Sequence, residues 1–338
     1  WEEEILFNFF RKIIFTLPPE LSHKLSLSAA EILYSSYLKK FISKNNTSLN
    51  KKYMNITFPS VLGLAAGFDK NGDYLNFINN IGLGFAELGT ITPKAQTGNK
   101  KPRVFRIPDE FAIINHLGFN NKGVNYLKKQ LTGFEKKIPI GVNIGKNADT
   151  PIHDAFTDYQ YCMREIYELC DYITLNISSP NTNKLRDLHK SEYLEDFLYN
   201  IKKTHDGLIK KHSKRTPIVL KISPDINHDD IYSLCKIIND YEVDGIILTN
   251  TTLDKSLLSS EKYYNYDGGV SGLPIHKKSN NLISDFKTSL SRETVIIGCG
   301  GIMSKSSAQE KILSGAHLLQ IYTGLVYKGL GLIKEING

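Results

Sequence analysis

The chain has little of the material from which metal sites and disulfide frameworks are built. It contains only four cysteines, without CxxC spacing: Cys162, Cys170, Cys235 and Cys299. We therefore predict neither a zinc site nor disulfides, and a reducing compartment fits. There is also no HExxH motif and no carboxylate cluster, so we predict no bound metal.

Long apolar runs and concentrated charge are absent as well. No run reaches the ~18–20 apolar residues of a membrane-spanning helix, and no signal peptide with a small-residue cleavage site is recognisable. The net charge is +7, but the lysines are scattered without a long basic block. A solvated surface is therefore favoured and nucleic-acid binding is not predicted, although weak attraction to anionic lipid or to an anionic substrate stays open.

The composition is otherwise that of an ordinary globular protein. Of 338 residues, 41% are hydrophobic and 23% are charged, which are usual values for globular proteins. A chain of this length can bury a large core, arranged either as one α/β barrel or as two domains.

The first 42 residues form a separate, apolar and aromatic-rich region. The pattern predicts one helix over about 5–15 and a second over about 19–42. Helices that lie in a membrane interface have this composition, but a packed helical cap would have it too, and both alternatives stay open. Because the chain starts at Trp1 and not at Met, we expect that its true N-terminus is missing, and whether a targeting segment precedes residue 1 stays open.

Residues 43–52 have the composition of a linker, and residues 53–338 alternate strand with helix. Eight short segments, apolar on both faces, are predicted as strands: 61–66, 84–88, 138–144, 172–176, 217–222, 245–249, 294–297 and 318–322. Such segments are typical of a parallel sheet that helices cover on both sides. Eight βα units in about 270 residues favour an α/β fold of the (β/α)8 TIM-barrel type, with residues 1–42 as a two-helix extension.

Polar and glycine residues follow every predicted strand, and in a (β/α)8 barrel these ends meet at the face where active sites lie. Gly300-Gly301 and Tyr322-Thr323 follow the last two strands, where backbone N–H groups commonly bind phosphate. A third glycine-rich segment, 268–272, is predicted to be a loop that closes over the same ligand. The GxGxxG spacing after the first strand is absent, so a Rossmann dinucleotide site is not predicted.

Two lysines at strand ends need anionic partners. Lys221 ends a buried apolar strand, where its charge is costly unless something anionic, such as a reduced flavin, faces it. Lys70 lies in a GFDK turn and could bind a substrate carboxylate. The alternative for each lysine is an ion pair with an aspartate, for example Asp69 or Asp225.

The segment 176–182, NISSPNT, follows the fourth predicted strand. It concentrates amides and hydroxyls without charge, which suits a flat polar heterocycle better than a metal or a nucleic-acid backbone. A strand-to-helix connection with a Ser/Asn cap is the alternative.

Taken in order, the strand-end segments resemble the dihydroorotate dehydrogenase family from about residue 18 to near the C-terminus. The matching motifs are AAGFDK (65–70), GTITP (89–93), NHLGFN (115–120), NIGKN (143–147), NISSPNT (176–182), KISPD (221–225), TNTT (249–252), GVSG (269–272), GG (300–301) and IYT (321–323). Two features resemble its class 2, quinone-dependent branch. Ser179 stands where class 1 enzymes carry a cysteine base, and residues 1–42 are similar to the membrane-lying helical pair that forms a quinone tunnel.

The resemblance implies a role for each of several residues. FMN would be bound by Ala65, Ala66, Gly67, Thr90, Asn143, Asn176, Lys221, Thr249, Gly272, Gly301, Tyr322 and Thr323. Dihydroorotate would be bound by Lys70, Asn115, His116, Leu117, Gly118, Phe119, Asn176, Asn181, Asn250 and Thr251. His23 and Arg106 resemble the polar residues at the inner end of the quinone tunnel.

The implied reaction is the oxidation of (S)-dihydroorotate to orotate in pyrimidine (UMP) biosynthesis. Ser179 would be the catalytic base that takes the C5 proton while the C6 hydride goes to FMN, which a membrane quinone then reoxidises. The resemblance also implies a peripheral membrane protein of the bacterial cytoplasmic or mitochondrial inner membrane, without an obligatory protein partner. The alternatives are a class 1-like enzyme that uses fumarate or NAD, an RNA-binding flavin barrel such as a dihydrouridine synthase, and a non-catalytic phosphate-binding barrel.

Overall fold

Eight parallel strands close into a barrel in the computed structural model, which describes residues 2–36, 50–182 and 185–338. Its strands are β3 (Leu62–Leu64), β4 (Phe85–Ile91), β7 (Ile140–Ile144), β8 (Tyr172–Asn176), β9 (Ile218–Ile222), β10 (Gly245–Leu248), β12 (Val295–Cys299) and β13 (Leu318–Ile321). Around the barrel they follow the order β10-β12-β13-β3-β4-β7-β8-β9. Each lies within or overlaps a predicted strand, so the TIM-barrel prediction is confirmed.

Helices cover the outside of the barrel. They are α1 (Glu2–Ile14), α2 (Pro19–Ser35), α3 (Leu75–Ile78), α4 (Val124–Leu131), α5 (Ala155–Ile166), α6 (Ser191–His212), α7 (Ile231–Asp240), α8 (His276–Ser289), α9 (Lys305–Leu313), α10 (Thr323–Lys328) and α11 (Leu330–Asn337). In α7 the buried residues Ile231, Leu234, Cys235 and Ile238 recur at i, i+3, i+4 and i+7, the spacing of a single helix face. Helix and strand side chains thereby form one hydrophobic core between the two layers.

Two small antiparallel sheets flank the barrel. The hairpin of β1 (Lys51–Tyr53) and β2 (Ile56–Phe58) places the fully buried Phe58 against Phe85, with ring centroids 5.3 Å apart. The second sheet, β11-β6-β5, combines β5 (Val104–Ile107) and β6 (Ala112–Asn115) with β11 (Gly269–Gly272). The prediction that 268–272 is a loop is wrong for 269–272, because this segment pairs with β6 through the register Val270↔Ile114.

The N-terminal helices precede the barrel and contact it. Glu20 on α2 forms an ion pair with Arg103 at 2.8 Å, and Glu31 accepts hydrogen bonds from the backbone N–H groups of Asn76 and Phe77. Several apolar side chains nevertheless remain exposed: Phe9, Phe10, Ile13, Leu21, Leu25, Ile32 and Leu33. No helix in the described part of the chain is both long and apolar enough to cross a membrane.

Two predicted features cannot be compared with the structure. The end of the predicted second helix, 37–42, and most of the predicted linker, 43–49, lie outside the described residues. The last two residues of the predicted linker, Lys51 and Lys52, belong to strand β1 instead.

Candidate active site

One large cavity lies at the carboxyl ends of the barrel strands and continues to α1 and α2. Its volume is about 1350 Å³. All but two of the residues predicted for the site line it: Ala65, Ala66, Gly67, Lys70, Thr90, Asn115, Leu117, Gly118, Phe119, Asn176, Ser179, Asn181, Lys221, Thr249, Asn250, Thr251, Gly272, Gly301, Tyr322, Thr323, His23 and Arg106. The two exceptions are Asn143 and His116, which lie behind the lining residues.

A chain of amides forms the floor of the cavity. Asn143 is fully buried, and its Oδ1 accepts hydrogen bonds from Thr90 Oγ1 at 2.5 Å and Asn176 Nδ2 at 3.1 Å. Asn176 Oδ1 in turn accepts from Ser178 Oγ at 3.0 Å and from Asn250 Nδ2 at 3.4 Å. Asn143 therefore supports the lining residues without reaching the cavity itself.

A fully buried carboxylate, Glu87, lies beneath this floor in the barrel interior. Its Oε1 accepts from Asn143 Nδ2 at 2.8 Å. Its Oε2 accepts from Thr174 Oγ1 at 2.9 Å, Gln320 Nε2 at 3.0 Å and Tyr172 OH at 3.2 Å. Four hydrogen bonds from three different strands, β7, β8 and β13, thus offset the cost of burying this group.

Ser179 lies at the rim of the floor and is almost completely buried, with 4% of its surface exposed. Its Oγ accepts from the backbone N–H of Asn181 at 3.2 Å. The side chain of Asn181 is also held, because its Nδ2 donates to Asn115 O at 3.1 Å and its Oδ1 lies 3.1 Å from His116 Nδ1. His116 thus contacts a residue of the lining instead of the cavity.

The two lysines do not form the ion pairs that were the alternative to ligand binding. Lys221 is 5% exposed and lines the cavity. Asp225 instead pairs with Arg186 and Lys278, each at 2.8 Å. Among the described residues no carboxylate pairs with Lys221, so its charge is available to a ligand.

Lys70 is placed by a tight turn that Asp69 stabilises. The Asp69 carboxylate accepts from the four backbone N–H groups of residues 71–74 at 2.8–3.1 Å. Lys70 Nζ donates to Asn120 Oδ1 at 2.7 Å. Burial lowers the pKa of Lys70 to about 8, and Arg103 acts in the same direction.

Glycines bring the backbone close to the far end of the cavity. Gly272 has φ +100°, and a Cβ there would lie 2.1 Å from the carbonyl oxygen of Phe111. Gly301 has φ +74°, and a Cβ there would lie 2.4 Å from the Cβ of His276. Both positions therefore require glycine. The nearby Thr323, which begins α10, bonds Ser271 through the two hydroxyls at 2.8 Å.

The opposite end of the cavity is apolar and lies against the N-terminal helices. Its lining there includes Phe10, Ile14, Phe15, Leu27 and Ala30. His23 Nε2 is 2.8 Å from Phe68 O, and burial lowers the pKa of His23. Arg106 bonds Ser22 Oγ at 3.3 Å, and its guanidinium lies 4.3 Å from the centre of the Phe15 ring.

Two residues that organise this site, Glu87 and Arg186, were not predicted from the sequence. Glu87 is hidden inside an apolar strand pattern, and only an acidic residue at a buried strand position could have drawn attention to it. Arg186 bonds Ser178 O at 3.1 Å and Thr251 O at 2.9 Å. No sequence motif marks such contacts, because the acceptors are main-chain oxygens. In the described part of the chain, no group of three or more His, Cys, Asp or Glu residues could hold a metal.

The fold and the cavity define a TIM-barrel enzyme whose ligands bind at the carboxyl ends of the strands. The family model "Dihydroorotate dehydrogenase" matches residues 48–338. The chain belongs to the dihydroorotate dehydrogenase family, in its quinone-dependent class 2 branch, and is an oxidoreductase.

Several relatives are similar over almost their whole length. Two are named "Dihydroorotate dehydrogenase (quinone)". The protein of Buchnera aphidicola subsp. Schizaphis graminum is 45% identical over 98% of this chain and 99% of its own. The protein of Saccharophagus degradans is 43% identical over 98% and 97%. A crystal structure of DHODH from Eimeria tenella in complex with ferulenol superposes with a TM-score of 0.86 at 31% identity, covering 96% of this chain and 93% of that one.

Proposed function

We propose that the protein oxidises (S)-dihydroorotate to orotate in de novo pyrimidine (UMP) biosynthesis, with FMN as hydride acceptor and a membrane quinone as final electron acceptor. The main support is that one continuous cavity joins a hydrogen-bonding floor beside Lys221 to apolar space along α1 and α2. Its volume of about 1350 Å³ exceeds the ~300–1,000 Å³ of a pocket for one ligand. It therefore has room for a cofactor together with its reaction partners.

The residues at the barrel mouth fit FMN. Lys221 is a buried cation without a carboxylate partner among the described residues, and Gln320 Oε1 is a buried acceptor without a hydrogen bond. The glycine positions 272 and 301 let backbone groups approach a phosphate. When bound, FMN supplies the hydride acceptor, and Lys221 would offset the negative charge that its ring gains. The proposed FMN residues are Ala65, Ala66, Gly67, Thr90, Asn143, Asn176, Lys221, Thr249, Gly272, Gly301, Tyr322 and Thr323, with Asn143 acting from behind the lining.

The residues beside Ser179 fit dihydroorotate. Asn115, Asn176, Asn181 and Asn250 would bind the amide edges of the pyrimidine, and Lys70 its carboxylate. The proposed substrate site is completed by Leu117, Gly118, Phe119 and Thr251, with His116 acting from behind the lining through Asn181. Buried Thr251 Oγ1 has no hydrogen-bond partner within the described part of the chain, so it too is available to a ligand.

Ser179 is the proposed catalytic base. Its Oγ accepts only the backbone N–H of Asn181 among the described residues, so one lone pair remains for the C5 proton of the substrate. A serine is a weak base at its ordinary pKa and needs both a positioned hydroxyl and an exit for the proton. Thr182, three residues along the same segment, or a water molecule would relay that proton.

The apolar end of the cavity fits a quinone. His23 and Arg106 would contact the quinone head, and the apolar residues of α1 and α2 its tail. The exposed Phe9, Ile13 and Ile32 would dock these helices on the bacterial cytoplasmic or mitochondrial inner membrane as a peripheral contact. In this proposal residues 1–42 are the docking segment, 43–52 the linker and 53–338 the FMN barrel.

Anaerobic mixing of the purified flavin-loaded protein with dihydroorotate tests donor and acceptor together. Flavin absorbance should bleach, and a quinone should restore it while fumarate does not. Recovery with fumarate would favour a class 1-like enzyme, and a protein without flavin absorbance would contradict the FMN assignment. Ser179→Ala should bind orotate but bleach at least about 100-fold more slowly, the lower range for loss of a positioned acid or base.

A further inference from the structure

The guanidinium of Arg186 joins three strand-end loops beside the proposed base. Its Nε donates to Ser178 O at 3.1 Å in the loop after β8. Its Nη1 donates to Asp225 Oδ2 at 2.8 Å after β9, and its Nη2 to Thr251 O at 2.9 Å after β10. The planar fork of an arginine can satisfy three separated acceptors at once, which a lysine cannot.

The main chain of Arg186 is held by a hydrogen bond as well. The backbone N–H of Ser223 donates to His189 Nε2 at 3.3 Å, so His189 Nδ1 carries the proton that it donates to Arg186 O at 3.0 Å. Asp225, the anchor of the guanidinium, also accepts from Lys278 Nζ and from Leu253 N, each at 2.8 Å. The arginine is therefore fixed from both ends.

The contact with Ser178 O bears directly on Ser179. A peptide unit is planar, so fixing the carbonyl oxygen of Ser178 also fixes the backbone nitrogen of Ser179. Ser178 is held on its other side as well, because its Oγ donates to Asn176 Oδ1 at 3.0 Å and accepts from Asn250 Nδ2 at 3.0 Å. A reacting group displaced by ~1 Å can lose ~100-fold in rate.

We propose that Arg186 is a positioning residue for the reaction. It does not line the cavity, and it acts by holding the Ser178–Ser179 peptide in register with Thr251, with Asp225 as its anchor. The inference rests on the proposed function of Ser179 as the base. It predicts that loss of Arg186 slows proton removal without weakening flavin binding.

Arg186→Met tests this role, and Lys278→Met is its matched control because it removes the other cation on Asp225 without touching Ser178 or Thr251. The measurements are the limiting rate of flavin bleaching at saturating dihydroorotate, the isotope effect with deuterium at C5, and the flavin content. Arg186→Met should bleach at least about tenfold more slowly with a larger isotope effect and unchanged flavin content. The limiting bleaching rate of Lys278→Met should stay within about twofold of that of the parent protein.

Other outcomes would overturn the inference. An unchanged limiting rate in Arg186→Met, or an equal loss in Arg186→Met and Lys278→Met, would mean that Arg186 serves only the general stability of these loops. If Arg186→Met does not fold, Arg186→Lys decides, since it keeps the charge; it should also bleach about tenfold more slowly, and a normal rate would contradict the role. Ser179→Ala, measured alongside, distinguishes failure of this inference from failure of the proposed function. A normal bleaching rate in Ser179→Ala would mean that Ser179 is not the base.

Discussion

The charge of Lys70 should control orotate binding within an accessible pH range. Lys70 Nζ donates to Asn120 Oδ1 at 2.7 Å and lines the cavity. Burial lowers the pKa of Lys70 to about 8, with Arg103 acting in the same direction and Glu20 opposing it. Below that pH the side chain is positively charged, and above it the side chain becomes neutral, so the affinity for a carboxylate should fall as the pH rises.

The size of the effect follows from two quantities. A hydrogen bond to a charged group contributes about 1.5–3 kcal/mol, which is about 10- to 150-fold in a dissociation constant. With a pKa of about 8, about nine-tenths of the free protein is neutral at Lys70 at about pH 9. Orotate should therefore bind about tenfold more weakly near pH 9 than near pH 7.

Titration of flavin absorbance with orotate measures this effect, because the product binds without requiring proton removal by Ser179. Lys70→Arg should give a level dissociation constant between about pH 7 and about pH 9, since arginine stays charged throughout. Lys70→Met should bind orotate weakly at every pH. Lys122→Met is a suitable control, because Lys122 also lines the cavity but already pairs with Asp73 at 2.9 Å; its pH profile should match that of the parent protein.

Two results would refute this reasoning. If Lys70→Arg loses affinity with pH as steeply as the parent protein, the titrating group is elsewhere. If Lys70→Met binds orotate normally near neutral pH, Lys70 does not bind the carboxylate at all.

Two further predictions concern stability and quinone reduction. Asp69→Asn should lower the free energy of unfolding, measured in urea, by about 1–3 kcal/mol, because the N–H of Tyr74 would face an amide nitrogen. Asp240→Asn, which breaks only an exposed helical pair with Lys236, should cost about 0.5 kcal/mol or less, and an equal loss in both variants would contradict the reasoning. His23→Ala should slow flavin reoxidation by quinone but leave bleaching by dihydroorotate unchanged; a normal rate of reoxidation would contradict a quinone site at His23.

The barrel could be predicted from the sequence because its signal is local. Short β-branched segments such as 218–222 are mostly apolar on both faces, and segments with the periodicity of a helix lie between most of them. The sheet of β5, β6 and β11 was missed because it pairs Ile114 with Val270, from two connections far apart in the chain. Glycine-rich 269–272 also carries little side-chain pattern from which a strand could be recognised.

In the candidate site, too, the residues that could be predicted are those with a local sequence signal. Residues with their own strand-end signal, such as Lys221 and Ser179, were predicted, and they do line one cavity; their roles stay predictions. Residues whose importance depends on partners elsewhere in the fold were not found. Arg186 bonds main-chain oxygens, and Glu87 gathers donors from Tyr172 and Gln320 across the barrel, so neither shows its partners in the local sequence.

Buried Glu87 has a consequence for ligand selectivity. Because it accepts from Asn143 Nδ2, the oxygen of that amide must face Thr90 and Asn176, and the Asn176 oxygen must then face Ser178. Donors and acceptors on the floor are thus oriented before a heterocycle arrives and need no rearrangement on binding. Freeing these amides should broaden the range of ring systems that bind, so discrimination among flat heterocycles depends partly on a carboxylate that does not line the cavity.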